Sequence, residues 1–76
     1  MGAELGATIR KERKSRGLSQ QELGDLAGTG LNFVSQIERG KETVRFDKLL
    51  ALLRVLGLEL VVSRGTAGIT VAKELR

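Results

Sequence analysis

Four glycines cut this chain into helix-length pieces. Gly17, Gly28, Gly40 and Gly57 each follow a segment whose apolar residues recur at helical spacing. Glycine carries no Cβ penalty in the left-handed conformation that ends many helices, so each of the four reads as a helix stop. The segments before them run about 4–16, 19–27, 31–39 and 46–56. The chain has 76 residues, enough for one small domain. A chain of that size buries only about 60% of its unfolded surface, which makes subunit association an obvious further source of stability.

In the first segment Leu5 and Ile9 lie one turn apart, and a basic run from Arg10 to Arg16 follows. Cations at a helix C-terminus complement the macrodipole. Ser19-Gln20-Gln21-Glu22 is a capping box, with Leu18 and Leu23 placed as a hydrophobic staple. Leu23, Leu26 and Ala27 are expected to form the buried stripe, and Gly24 suggests close approach by a neighbouring helix. The third segment is expected to bury Val34 and Ile37, with Phe33 beside them. In the fourth, Phe46, Leu49, Leu50, Leu53 and Leu56 form one expected face, and Leu52 and Val55 another. A helix apolar on two faces needs two partners, one of which is expected to be a second subunit.

After Gly57 the period drops to 2. Leu58, Leu60 and Val62 alternate with Glu59, Val61 and Ser63, which predicts a strand. A lone strand cannot satisfy its backbone groups, so this one is expected to pair across a homodimer. Residues 65–76 either form a second short strand around Ile69-Thr70-Val71 or fray as a flexible tail. The domain is therefore placed at 1–64, with the dimerisation strand at about 58–64.

Composition narrows the function. There is no His and no Cys, which removes imidazole acid–base chemistry, Ser–His and Cys–His pairs, thiolate zinc sites and disulfides. Glu22 with Asp25, and Glu38 with Glu42, are explained by capping and ion pairing rather than by paired catalysis. No enzyme activity, cofactor or metal is expected. Trp and Tyr are absent and Phe occurs twice, so base stacking on a row of aromatics is excluded. Thirteen Lys and Arg against nine Asp and Glu give a net charge of +4, a mild basic excess that suits an anionic partner. Leu49 to Val62 is too short and too polar to span a bilayer, and the start lacks a signal-peptide pattern. A cytoplasmic protein without membrane contact is expected.

Ser19–Ala27 and Leu31–Arg39, joined by Gly28-Thr29-Gly30, fit a helix-turn-helix. In that motif the second helix enters the major groove and the first crosses the DNA backbone. Asn32 and Gln36 are four apart on one face, and either amide is able to make a bidentate contact with adenine. Leu31 is suited to a thymine methyl group. Taken alone, Arg10–Arg16 is an ordinary solvated face; beside this motif, Arg10 and Lys14 become candidate phosphate contacts. Arg45 stands where Ser or Thr would cap the fourth helix better, which marks a phosphate or minor-groove contact, or simple tolerance.

Residues 5–57 resemble the Cro/C1-type (XRE-type) helix-turn-helix regulators. The resemblance rests on Leu18-Ser19-Gln20-Gln21-Glu22-Leu23, Ala27-Gly28 and Val34-Ser35-Gln36-Ile37-Glu38-Arg39-Gly40. The ending Thr43-Val44-Arg45-Phe46-Asp47-Lys48-Leu49-Leu50, with Leu56-Gly57-Leu58-Glu59-Leu60-Val61-Val62, is similar to the HipB-type antitoxin branch. The resemblance implies an all-α, lambda-repressor-like four-helix domain with a short C-terminal strand pairing across a homodimer. It implies base contacts by Leu31, Asn32 and Gln36, with Ser35 nearby, and a backbone contact by Gln20; the basic residues around the motif add Arg10, Lys14, Lys41 and Arg45 as expected backbone contacts. It pairs Arg13 with Glu38 inside the domain, and leaves Gln20 either on a phosphate or supporting the third helix. Leu52, Val55, Leu58, Leu60, Val61 and Val62 are the expected dimer contacts. The implied partners are a pseudo-palindromic double-stranded operator and a HipA-like kinase toxin, and the implied role is an autoregulating repressor and antitoxin. A free-standing XRE-type repressor is the alternative. Gly30 and Leu31 depart from the family pattern, which often has Ser or Thr and then a polar residue.

Overall fold

The computed structural model describes residues 2–62 and 69–73. Four helices, α1 (Gly2–Ser15), α2 (Gln20–Ala27), α3 (Leu31–Glu38) and α4 (Phe46–Val55), precede two strands, β1 (Leu58–Val62) and β2 (Ile69–Lys73). The fold is thus four-helical with a strand after the last helix, as the glycine pattern predicts. Ser19 Oγ accepts from the Glu22 N–H at 3.0 Å, and the Ser19 N–H donates to Glu22 Oε1 at 2.9 Å. This closes the capping box that starts α2.

The core collects Leu5 and Ile9 of α1, Leu23 of α2, Val34 and Ile37 of α3, Leu49, Leu52 and Leu53 of α4, and Leu56 and Leu58 beyond it. Three expectations about apolar faces change. Leu52 is completely buried in this core, and Leu58 nearly so, so neither side chain is presented to a second subunit. The buried band of α4 is the single stripe Leu49-Leu52-Leu53-Leu56, with half-buried Leu50 and Val55 on its flanks. Phe46 begins the helix off that stripe and is exposed. Leu26 is exposed as well, because the inward face of α2 runs through Leu23, Gly24 and Ala27. At about 100° per residue, Leu26 lies outside that stripe, beyond its Leu23 edge and opposite Gly24.

Gly24 marks the face of α2 that packs closest. A Cβ there would lie 2.6 Å from the carbonyl carbon and oxygen of Gly30, and 3.0 Å from the Leu31 nitrogen. The close neighbour is therefore the turn that starts α3. The Gly24 carbonyl accepts from the Thr29 and Gly30 N–H groups at 3.0 and 3.2 Å, which locks the helix-turn-helix angle. Gly6 of α1 lies just as tightly on the Ile37 and Glu38 carbonyls, so α1 seats the other end of α3.

β1 pairs antiparallel with β2, in register from Leu58–Lys73 to Val62–Ile69. One edge of β1 is therefore satisfied within the chain, where the sequence predicts a partner in a second subunit. Antiparallel strands close together in one chain need only a short connection, so this pairing requires no second copy. Ser63 and Arg64 of the expected dimerisation strand, and the rest of 65–76, lie outside the described residues.

Candidate nucleic-acid interface

Val34 and Ile37 anchor α3 in the core, and this fixes which residues face out. Asn32 is exposed, Leu31 is 40% exposed, and Ser35 and Gln36 are half-buried. The expected base-reading residues thus share the outward side of a helix held at both ends. Gly30 at the N-cap makes no side-chain hydrogen bond, so the first turn of α3 lacks a cap of its own.

A concave surface of about 440 Å³ opens between α3, the following loop and the start of α4. Asn32, Gln36, Lys41 and Arg45 line it together with Thr29, Phe33, Thr43, Val44 and Lys48. Two expected base contacts and two expected backbone contacts therefore meet in one place; Leu31 and Ser35 do not line it. Lys48 escapes the sequence reading, although it stands one turn after Arg45. Its ammonium lies 5.9 Å from the centre of the Phe33 ring, a cation–π approach that fixes a charge at the rim. Lys41 Nζ donates to Gln36 Oε1 at 3.2 Å. Arg45 meets Asp47 through two hydrogen bonds, of 3.2 and 2.8 Å, and this pair is exposed. The Arg45 guanidinium beside it holds the Asp47 carboxyl below its ordinary range.

The basic run on α1 divides by role. Arg10 and Lys14 are exposed. Arg13 is buried: it grips Glu38 through Nε at 2.6 Å and Nη2 at 2.9 Å, and its Nη1 donates to the Leu18 carbonyl at 2.8 Å. Gln20 Nε2 donates to the same carboxylate at 3.1 Å, so this side chain supports α3. Burial pushes Glu38 up, but hydrogen bonds from Arg13 and Gln20, with the charges of Arg13 and Arg10, outweigh it and hold the carboxyl below its ordinary range. Arg16 donates to the Leu56 carbonyl at 2.8 Å and thereby closes the end of α4. Of this run, Arg13 is thus held inside the fold by Glu38, as the resemblance implies, and Arg16, although exposed, is bonded to Leu56.

Among the described residues, no group of acidic side chains is placed to hold a metal ion, and no helix is long and apolar enough to cross a membrane.

Comparison with known proteins agrees with this geometry. Residues 9–62 match the Helix-turn-helix family HTH_3. The chain is 44% identical over 55 residues to the HTH-type transcriptional regulator y4mF of Sinorhizobium fredii, covering 72% of each. It is 33% identical over 72 residues to the transcriptional regulator ClgR of Mycobacterium tuberculosis, covering 95% of this chain but 64% of that one. Among solved structures, the restriction-modification controller protein C.AhdI of Aeromonas hydrophila superimposes with a TM-score of 0.65 at 33% identity, over 71% of this chain and 82% of the other. The clp gene regulator ClgR of Corynebacterium glutamicum gives 0.64 at 29% identity, over 72% of this chain and 58% of the other. With its glycine-locked turn, its outward amides and these relatives, the chain belongs to the Cro/C1-type (XRE-type) helix-turn-helix family of DNA-binding transcriptional regulators.

Proposed function

We propose that the protein is a sequence-specific repressor that binds a pseudo-palindromic operator as a homodimer and occludes a promoter. The observation that carries this reading is the concavity in which Asn32 and Gln36 meet Lys41 and Arg45. Asn32 and Gln36 read base edges, Leu31 approaches a thymine methyl group, and Ser35 lies beside them. Arg45, Arg10 and Lys14 hold phosphates, and Lys41 lines the same concave surface, bonded to Gln36. Gln20 acts on DNA only indirectly, by bracing Glu38. Cationic contacts supply most of the affinity by releasing counterions, so binding weakens steeply with salt.

In the dimer, β1 offers its mate the edge that β2 leaves uncovered, since the described sheet has two strands. Val55, Leu60 and Val61 are half-buried within the chain and remain candidates for that contact. The side chain of Val62 lies outside the described residues. Selection of bound DNA from a random pool tests function and assembly together. The expected product is an inverted repeat with half-site centres about 34 Å apart. A pool without an enriched sequence would sink the repressor reading, and a single unrepeated half-site would sink the dimer.

A second reading rests on the similarity of residues 43–50 and 56–62 to HipB-type antitoxins. There the same domain represses its own operon and holds a HipA-like kinase toxin. The relatives named above are regulators and a controller protein, which suits the free-standing reading equally well. A kinase-like reading frame beside this gene, whose product co-purifies with the chain, supports the antitoxin. A neighbourhood without one leaves the free-standing repressor.

A further inference from the structure

The end of α3 does more than stop a helix. Gly40 adopts φ 87°, and its N–H donates to the Ile37 carbonyl at 2.9 Å. The Lys41 N–H then donates to the Gln36 carbonyl at 3.1 Å. These two bonds make a Schellman motif, which folds the residue after the left-handed glycine back over the residue five before it. An apolar contact commonly joins those two positions. Here they are Lys41 and Gln36, and the side chains join as well: Lys41 Nζ donates to Gln36 Oε1 at 3.2 Å.

That bond decides what Gln36 offers to DNA. An ammonium has three donors and no acceptor, so the amide atom it meets is the oxygen; this leaves Gln36 its NH₂ group and one lone pair beside a positive charge. A glutamine that reads adenine must accept from adenine N6 while it donates to N7. With an ammonium on its oxygen, Gln36 meets adenine's N6 amino group with positive charge. Guanine instead presents two neighbouring acceptors, O6 and N7, in the major groove. The Gln36 amide and the Lys41 ammonium, both lining the concave surface, form a two-donor unit that fits them.

We infer that the Lys41–Gln36 couple makes Gln36 a guanine reader rather than an adenine reader, with Lys41 as a specificity-determining residue. This rests on the proposed base contact of Gln36. The test is DNA selection with the full chain and with Gln36→Ala, Lys41→Met and Lys41→Arg. Gln36→Ala identifies the half-site position that depends on Gln36, and the wild-type chain is expected to select guanine there. Lys41→Met should lower the guanine-over-adenine ratio at that position by about tenfold, the scale of one bidentate contact. Lys41→Arg keeps the donors and should keep guanine. Adenine in the wild-type selection overturns the inference. So does Lys41→Met weakening all sequences by one factor, which makes Lys41 a backbone anchor. If Gln36→Ala changes no position, the base-readout reading itself falls, and the inference with it.

Discussion

Two arginine–carboxylate pairs in this molecule share one chemistry and differ in everything else. Arg13 and Glu38 meet through two hydrogen bonds with side chains 9% and 2% exposed. Arg45 and Asp47 also meet through two bonds, with side chains 68% and 65% exposed. The first joins residues far apart in sequence, ties α1 to the end of α3, and takes in Leu18 and Gln20 as well. The second spans two positions at the start of α4. A shielded pair with its remaining donors and acceptors filled is a structural joint, and removing one member strands the other. An exposed pair holds little stability and yields its cation easily to a stronger anion. Identical chemistry thus serves as a rivet in one place and, in the other, as a guard on a cation proposed to contact DNA.

The largest effect expected from this contrast is on folding. Glu38→Ala leaves Arg13 shielded with only the Leu18 carbonyl, and should cost about 3 kcal/mol. In a marginal small domain that is a large share of the total. Urea denaturation checks it; a midpoint equal to wild type would show that the joint is not structural. Operator binding should fall with the folded fraction and recover under conditions that refold the variant.

A smaller effect appears with pH. In the unfolded chain Glu38 titrates near the ordinary glutamate value of about 4.3. In the folded chain it is held lower. As pH falls, the unfolded state takes up the proton first, so the unfolded state gains. The stability from Glu38 is complete above the unfolded value and is lost as pH drops through the folded one. Glu38→Gln, measured by thermal melting between pH 6 and 3, should flatten this loss. An unchanged slope would assign the acid sensitivity to other carboxylates.

How much of this is legible in sequence depends on the reach of each interaction. Local bonding is written in neighbouring residues: Ser19 with Glu22, and the glycines that end the helices, are readable because partner and cause lie within a few positions. Helix orientation is not local. Leu52 and Leu26 are equally apolar in sequence, yet Leu52 is buried and Leu26 is 62% exposed. What separates them is the close contact of Gly24 with Gly30 on the inward face of α2, and the continuous stripe of α4. The candidate interface divides likewise. The outward amides follow from helical period once Val34 and Ile37 are placed inside. The roles of the cations follow less directly: the family resemblance supplies the pairing of Arg13 with Glu38, but nothing near Arg16 in sequence shows that the fold brings it to the Leu56 carbonyl.

The smallest effect on folding, and the clearest on function, belongs to the exposed pair. Asp47→Asn removes the carboxylate charge and leaves the amide oxygen as a weaker acceptor for Arg45. Because both partners are exposed, thermal melting should not change measurably. DNA binding should tighten on operator and non-operator sequences alike, since a freed guanidinium and one less negative charge favour phosphate without reading bases. The salt dependence should steepen by up to about one counterion per half-site if Arg45 then engages a phosphate. Unaltered affinity and unaltered salt slope would mean that Arg45 lies off the DNA. Tightening confined to one sequence would instead give Arg45 a part in base choice, as a second cation beside Lys41.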